Sequence, residues 1–147
     1  MLCVLVVNNF KIMSDFMHRF HNQDFGILLL RVGLGVVFLY HGWTKVGAME
    51  QTIGFFGTLG FAPWLAYLVA WAETVGGIAL IVGIFSRYTG VVLGVISLVA
   101  LVKVHLPNGF AISGGGYEFI LLLLLGSLAI ITMGSGKYSL AGWLRHR

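Results

Sequence analysis

Four runs of the sequence, about residues 24–46, 64–85, 88–106 and 117–133, are apolar over close to the twenty or so residues that an α-helix needs to cross a hydrocarbon layer. Nothing else in the chain restricts its fold as strongly. Backbone facing lipid must satisfy its own N–H and C=O groups, so runs of this kind are confined to helices packed against one another. The expected fold is an all-α polytopic membrane protein. A four-transmembrane-helix bundle occupies residues 24–147, and residues 1–23 form a short cytoplasmic segment before it. Composition agrees, since 59% of the residues are hydrophobic and 10% charged, against about 25% charged in soluble domains.

The connections leave no room for a soluble domain. GAMEQTIGFFGTLGFAP, after the first span, suits a short amphipathic or re-entrant piece at the interface. SRY allows only a tight turn, and the glycines and proline of LPNGFAISGGG break any helix. The leading MLCVLVVNNFKIMSDFMHRF does not read as a secretory signal, because its brief apolar run precedes its positive charges. Cys3 is the single cysteine, so no thiol pair can form within one chain.

The net charge of +4 does not point to nucleic acid, because the basic residues are dispersed. Topology sorts them better. Lys11, Arg19, Arg87, Lys137, Arg145 and Arg147 fall at one end of the bundle, with Lys45 and Lys103 at the other, which predicts that both termini are cytoplasmic. Trp43, Trp64, Tyr67 and Tyr117 then mark the outer boundary, and Tyr88, Tyr138 and Trp143 the inner one.

Polar side chains inside the spans are the candidates for function, since each charge at mid-membrane costs about 2.5–3.5 kcal/mol on insertion scales unless it is paired. Glu73 sits in LVAWAETVGGIALIVGIF and must therefore face the bundle interior. At helical spacing Arg31, Gly35, Phe38, Gly42 and Lys45 share one face of the first span, with His41 turned about 80° aside. Ala66, Ala70, Glu73 and Gly77 share a face of the second. Small residues such as Gly35, Gly42, Gly76 and Gly77 let helices approach closely. Glu73 is expected to be neutralised from the first helix, lying between Arg31 below and His41 above. Toward the outer mouth, His41, Lys45, Lys103, His105 and Glu118 form a second polar ring. A regular third helix would carry His105 on the stripe of Gly90, Gly94 and Ser97 but turn Lys103 roughly 140° away from it. Either that helix unwinds before Pro107, or Lys103 snorkels to the interface. Each group also has a structural reading, as a register-fixing ion pair or an interfacial anchor. No haem signature accompanies His41 and His105, and no metal is assigned.

The succession RVGLGVVFLYHGWTKV, AWAETVGGIALIVGIFSR, KVH, GGGYEF and GSGKYSLAGWL resembles the DoxX family of small four-helix bacterial membrane proteins from Asp24 onward. The family's polar positions fall on Arg31, His41, Gly42, Lys45, Glu73, Gly77, Arg87, Lys103, His105 and Glu118. One departure is Ala141 with Gly142, where the family often carries an acidic residue. The resemblance implies a multi-pass protein of the bacterial plasma (inner) membrane, a subunit linked to redox complexes in a family named after one associated with thiosulfate:quinone oxidation. In physical terms, a quinone entering from the lipid would accept hydrogen bonds from His41 and Lys45 or Arg31, while Glu73 exchanges a proton. With no intrinsic electron carrier in the sequence, a soluble redox enzyme would supply electrons. Small-residue stripes on the second and third spans suit a homodimer. Two other readings stay open: a small proton-coupled transporter using Glu73, and a non-catalytic membrane scaffold.

Overall fold

The computed structural model describes residues 22–145. The cytoplasmic segment expected over 1–23 therefore lies outside the described residues, apart from its last two, and so do Cys3, Lys11, Arg19 and Arg147. Four helices form an up-down bundle: α1 (Gln23–Gly47), α3 (Pro63–Val82), α4 (Ser86–Ala100) and α5 (Glu118–Met133). A short helix, α2 (Met49–Thr58), lies between the first two, and α6 (Leu140–Arg145) ends the described chain. α1 packs most extensively on α3 and α4 on α5, and contacts between α3 and α4 and between α1 and α5 close the ring.

Local chemistry sets the ends. Asn22 caps α1 by accepting from the Phe25 N–H at 3.2 Å, which satisfies one orphan donor of the first turn. Pro63 opens α3, where its missing N–H costs nothing. α3 stops at Gly83, which adopts φ 81°, a left-handed conformation open to glycine without penalty. The second span thus ends three residues before its apolar run does.

α1, α3 and the α4 segment through Asn108 are each long and apolar enough to cross a membrane, with 33%, 33% and 28% of their apolar windows buried. The outward faces carry Leu29, Val36, Val75, Val91 and Leu125, all exposed, the reverse of a soluble bundle. α5 is apolar but shorter, at roughly 24 Å for its sixteen residues. The loop above it satisfies its own backbone through bonds such as Tyr117 N–H to Gly109 O and Glu118 N–H to Phe110 O. Irregular chain at that depth is tolerated only on such terms.

Leu34, Phe38, Leu80, Leu93, Leu123 and Ile130 form the core. Between α1 and α3 the packing is glycine on backbone. A Cβ on Gly77 would lie 2.5 Å from Leu39 N and 2.7 Å from Gly35 O, and one on Gly42 would lie 2.9 Å from Ala70 O. Backbone cannot swing aside as a side chain can. Gly77→Ala is accordingly expected to force the two helices apart and cost about 2–3 kcal/mol. Thermal unfolding in detergent checks this against Gly33→Ala, whose Cβ would meet nothing within 4 Å. Equal midpoints for the two variants would show that the close approach of α1 and α3 is not needed.

Candidate functional site

The polar groups of the interior divide into two sites, and the direction in which side chains leave a helix explains the division. Cα–Cβ bonds tilt toward the N-terminus of their own helix. With the end of the bundle where α1 starts taken as inner and the opposite end as outer, both Arg31 and Lys45 of α1 therefore reach inward. On the antiparallel α3, Glu73 reaches outward. Glu73 is level with Gly42, because a Cβ on Gly42 would touch Thr74. Lys45, one turn farther out, reaches down onto Glu73 and forms an ion pair with its Oε2. Arg31 is level with Gly83, roughly 15 Å of helix rise below Glu73, and reaches away from it.

The structure thus corrects the expected neighbours of Glu73. Its partner is on the first helix, but it is Lys45, not Arg31. Arg31, 1% exposed, donates from its two terminal nitrogens to Ser135 O at 2.8 Å and Tyr138 O at 2.7 Å. These carbonyls belong to the turn just after α5, and Gly83 ends α3 beside the guanidinium. Two helix C-termini with their partial negative charge converge there, so the cation is accommodated without a carboxylate. The same turn is fastened by Lys137 N–H to Asp24 Oδ1 at 2.8 Å, by the Ser135 and Ser86 hydroxyls at 2.9 Å, and by Ala141 N–H to Gly83 O at 3.3 Å. Arg87 donates to Thr132 O at 3.4 Å. This inner knot is built for closure.

The outer half of the bundle holds a cavity of about 610 Å³, within the range of small-molecule sites. Phe38 and Leu123 lie toward the core, while Phe55 and Phe56 of α2 and Phe61 cover one side. Six polar residues interrupt the apolar lining: His41, Lys45, Glu73, Ser97, Lys103 and His105. Glu73 is 5% exposed. His41 is exposed at the rim and stacks edge-on to Tyr40 and at a tilt to Phe119.

Lys103 and His105 share the lining because the third span is not a regular helix there. Leu101–His105 is a π-turn, with the Leu106 N–H bonded to Leu101 O, and a 3-10 turn, Leu106–Asn108, takes it past Pro107. The wider turn changes the angular register of the stripe, and single π-turns of this kind recur at functional sites. His105 Nδ1–H donates to Gly115 O at 2.8 Å, which fixes the loop that borders the cavity. Glu118 does not join the ring. Its Oε1 accepts from the Ile112 N–H at 2.6 Å and shapes the same loop from behind.

Ser97 is the cavity residue that sequence reasoning passed over. Its hydroxyl is fully buried and has no protein hydrogen-bond partner, at a cost of about 1–3 kcal/mol. In sequence it continues the small-residue stripe of Gly90 and Gly94, which reads as packing. Only the rotation of α4 and the opening of the π-turn show that the stripe ends at a cavity. Among the described residues, no three His, Cys, Asp or Glu side chains converge as a metal site would require.

Comparison with known proteins agrees with this architecture. The family model described as DoxX matches residues 26–106, which carry every cavity element except the loop and α5. The chain is 38% identical over 112 residues to the Bacillus subtilis (strain 168) protein named "Putative oxidoreductase CatD", covering 76% of this chain and 81% of that one. It is 26% identical over 120 residues to the Escherichia coli (strain K12) "Inner membrane protein YqjF", covering 80% and 91% of the two chains. A Haemophilus influenzae "Uncharacterized protein" is 30% identical over 69 residues, 47% of this chain and 46% of its own. No solved structure matches the chain. With its all-helical bundle, its apolar spans and this family match, the protein is an integral membrane protein that belongs to the DoxX family.

Proposed function

We propose that the outer cavity binds a membrane quinone and that the protein is the quinone-interacting subunit of a membrane redox complex. The observation that carries this reading is the Lys45–Glu73 pair set into a mostly apolar cavity. Apolar walls suit a ring and the first part of a lipid tail, and the few polar groups fix orientation. Lys45 and His41 donate to a quinone oxygen. Reduction of a quinone to a quinol takes up two electrons and two protons. Glu73, ionised in its pair with Lys45, relays both protons: it takes each one up from water at the cavity mouth, hands it on toward the ring and is left as the carboxylate it was. Electrons come from a soluble redox enzyme docked at the membrane surface, and the name of the Bacillus relative accords with redox work.

The charge distribution supports both termini in the cytoplasm, which puts the cavity in the outer half of the bilayer. Proton-coupled export of cations is less well supported, because Lys45 already occupies the carboxylate that such a substrate would need. The test is purification of the full chain in mild detergent followed by extraction and identification of bound lipid. A quinone should co-purify, and Glu73→Gln should lower its recovery at least tenfold, since Lys45 then loses its counter-ion and its position. Absence of any quinone, together with no affinity for an added short-chain analogue, would refute the reading.

A further inference from the structure

We infer that Ser97 is a ligand-binding residue of the cavity, donating a hydrogen bond to one oxygen of a ring that carries oxygens at opposite ends. The inference rests on the quinone reading and extends it to the buried end of the ligand. Among the described residues, four hydroxyls in or beside the spans are fully or almost fully buried. Thr74 donates to Ala70 O at 2.8 Å and Ser127 to Leu123 O at 2.8 Å, each to the carbonyl four residues back, and Ser86 pairs with Ser135. That carbonyl is open to any helical serine. Ser97 has no protein partner and lines the cavity. Its hydroxyl is the unused donor.

Its height matches that of the ion pair. A Cβ on Gly76 of α3 would lie 3.2 Å from the Leu93 side chain of α4, so those residues are level. Glu73 and Ser97 lie three and four residues outward from that contact, roughly 4.5 and 6 Å of rise. Inward of this level the core closes on Leu93, Leu80 and Leu34. The buried end of the cavity therefore offers the Ser97 hydroxyl on one helix and the Lys45–Glu73 pair across from it. The mouth offers Lys103 and His105, with Lys103 roughly 9 Å of helix rise above Ser97. Polar ends separated by apolar walls fit a six-membered ring with an oxygen at each end. A tail-bearing quinone of the membrane and a small aromatic dione or diol share that chemistry.

The experiment measures binding of two probes, 1,4-naphthoquinone and decylubiquinone, to the purified full chain by quenching of tryptophan fluorescence, with thermal unfolding of each variant in parallel. Ser97→Ala should weaken binding about tenfold, the worth of one buried hydrogen bond, and leave the ligand-free midpoint unchanged or higher. Ser97→Cys should fall between. Ser127→Ala, which removes a satisfied hydroxyl, should lower the midpoint and keep affinity. A loss confined to decylubiquinone identifies the membrane quinone as the source; a loss for both probes shows that the ring alone is read. Unchanged affinity in Ser97→Ala, beside a wild type that binds, overturns this inference and leaves the quinone reading standing. So does a ligand-free midpoint that falls as far as that of Ser127→Ala, since Ser97 would then be structural. Should the alanine variant not fold, the same criteria apply to Ser97→Cys. A wild type that binds neither probe overturns both proposals.

Discussion

Arg31→Leu is expected to cost about 3–5 kcal/mol and to release the C-terminal turn from the inner end of the bundle. The side chain is almost wholly buried and spans two carbonyls, Ser135 O at 2.8 Å and Tyr138 O at 2.7 Å. Hydrogen bonds from a charged donor contribute about 1.5–3 kcal/mol each. Leucine fills part of the volume but leaves both acceptors dry and unpaired. The guanidinium also balances the C-terminal ends of α3 and α5, a contribution that leucine removes. Arg31→Lys keeps the charge but cannot fork to two carbonyls, so it should recover roughly half the loss. Thermal unfolding in detergent gives the magnitude, and limited proteolysis gives the location: cleavage after residue 134 should appear in Arg31→Leu and not in the wild type. A variant as stable and as protease-resistant as the wild type would show that the turn docks through Asp24 and Ser86 without Arg31. Quinone binding should survive the substitution, because Lys45 is fourteen residues farther along α1, roughly 21 Å away.

That contrast between Arg31 and Lys45 also marks how far the sequence could be read. The spans were legible because lipid forces an unbroken apolar run on each of them, and the glycine faces because α1 and α3 are each one uninterrupted α-helix, so that spacing survives folding. That Glu73 is met by a cation from α1 follows from the cost of an unpaired charge. Which cation meets it depends on the antiparallel register of two helices, set by the contacts of Gly35, Gly42 and Gly77, and on the inward tilt of every α1 side chain. Face arithmetic alone puts Arg31 and Lys45 on the same stripe and cannot choose between them. Arg31 was harder still, since its partners are backbone carbonyls, which carry no sequence signal. The segment GSGKYS offers only its glycines, of which Gly134 and Gly136 take positive φ. At the outer end, the disagreement between Lys103 and His105 on a regular helix did signal irregularity before Pro107. A π-turn is one of several ways to resolve it, and the sequence could not select among them. Glu118 opens a helix in either view. Whether it faces the cavity or the loop turns on one backbone N–H, that of Ile112.

Lys45→Met should destabilise the protein by about 3 kcal/mol, and adding Glu73→Leu should restore most of that loss. The reason is an asymmetry in buried ion pairs. Removing one partner strands the other in a low-dielectric interior, at about 3–5 kcal/mol, whereas replacing both with apolar groups of similar volume is neutral or stabilising. Here the lower end of that range applies, because the Lys45 side chain is 27% exposed against 6% for Glu73. A double-mutant cycle in detergent then yields a coupling energy of about 2 kcal/mol between the two positions. Additive losses would show that the pair makes no energetic contact. If the double variant folds as well as the wild type but no longer retains quinone, the pair is not there to hold the bundle together. A chain of this composition could fill the same space with leucine and methionine, and the glycine contacts of α1 and α3 would still set the register. Keeping a charged pair beside an unsatisfied serine in an apolar cavity then has one physical rationale left, which is recognition of a polar group brought in by a ligand. A double variant that keeps full affinity for decylubiquinone would remove that rationale and leave the pair without a role in binding.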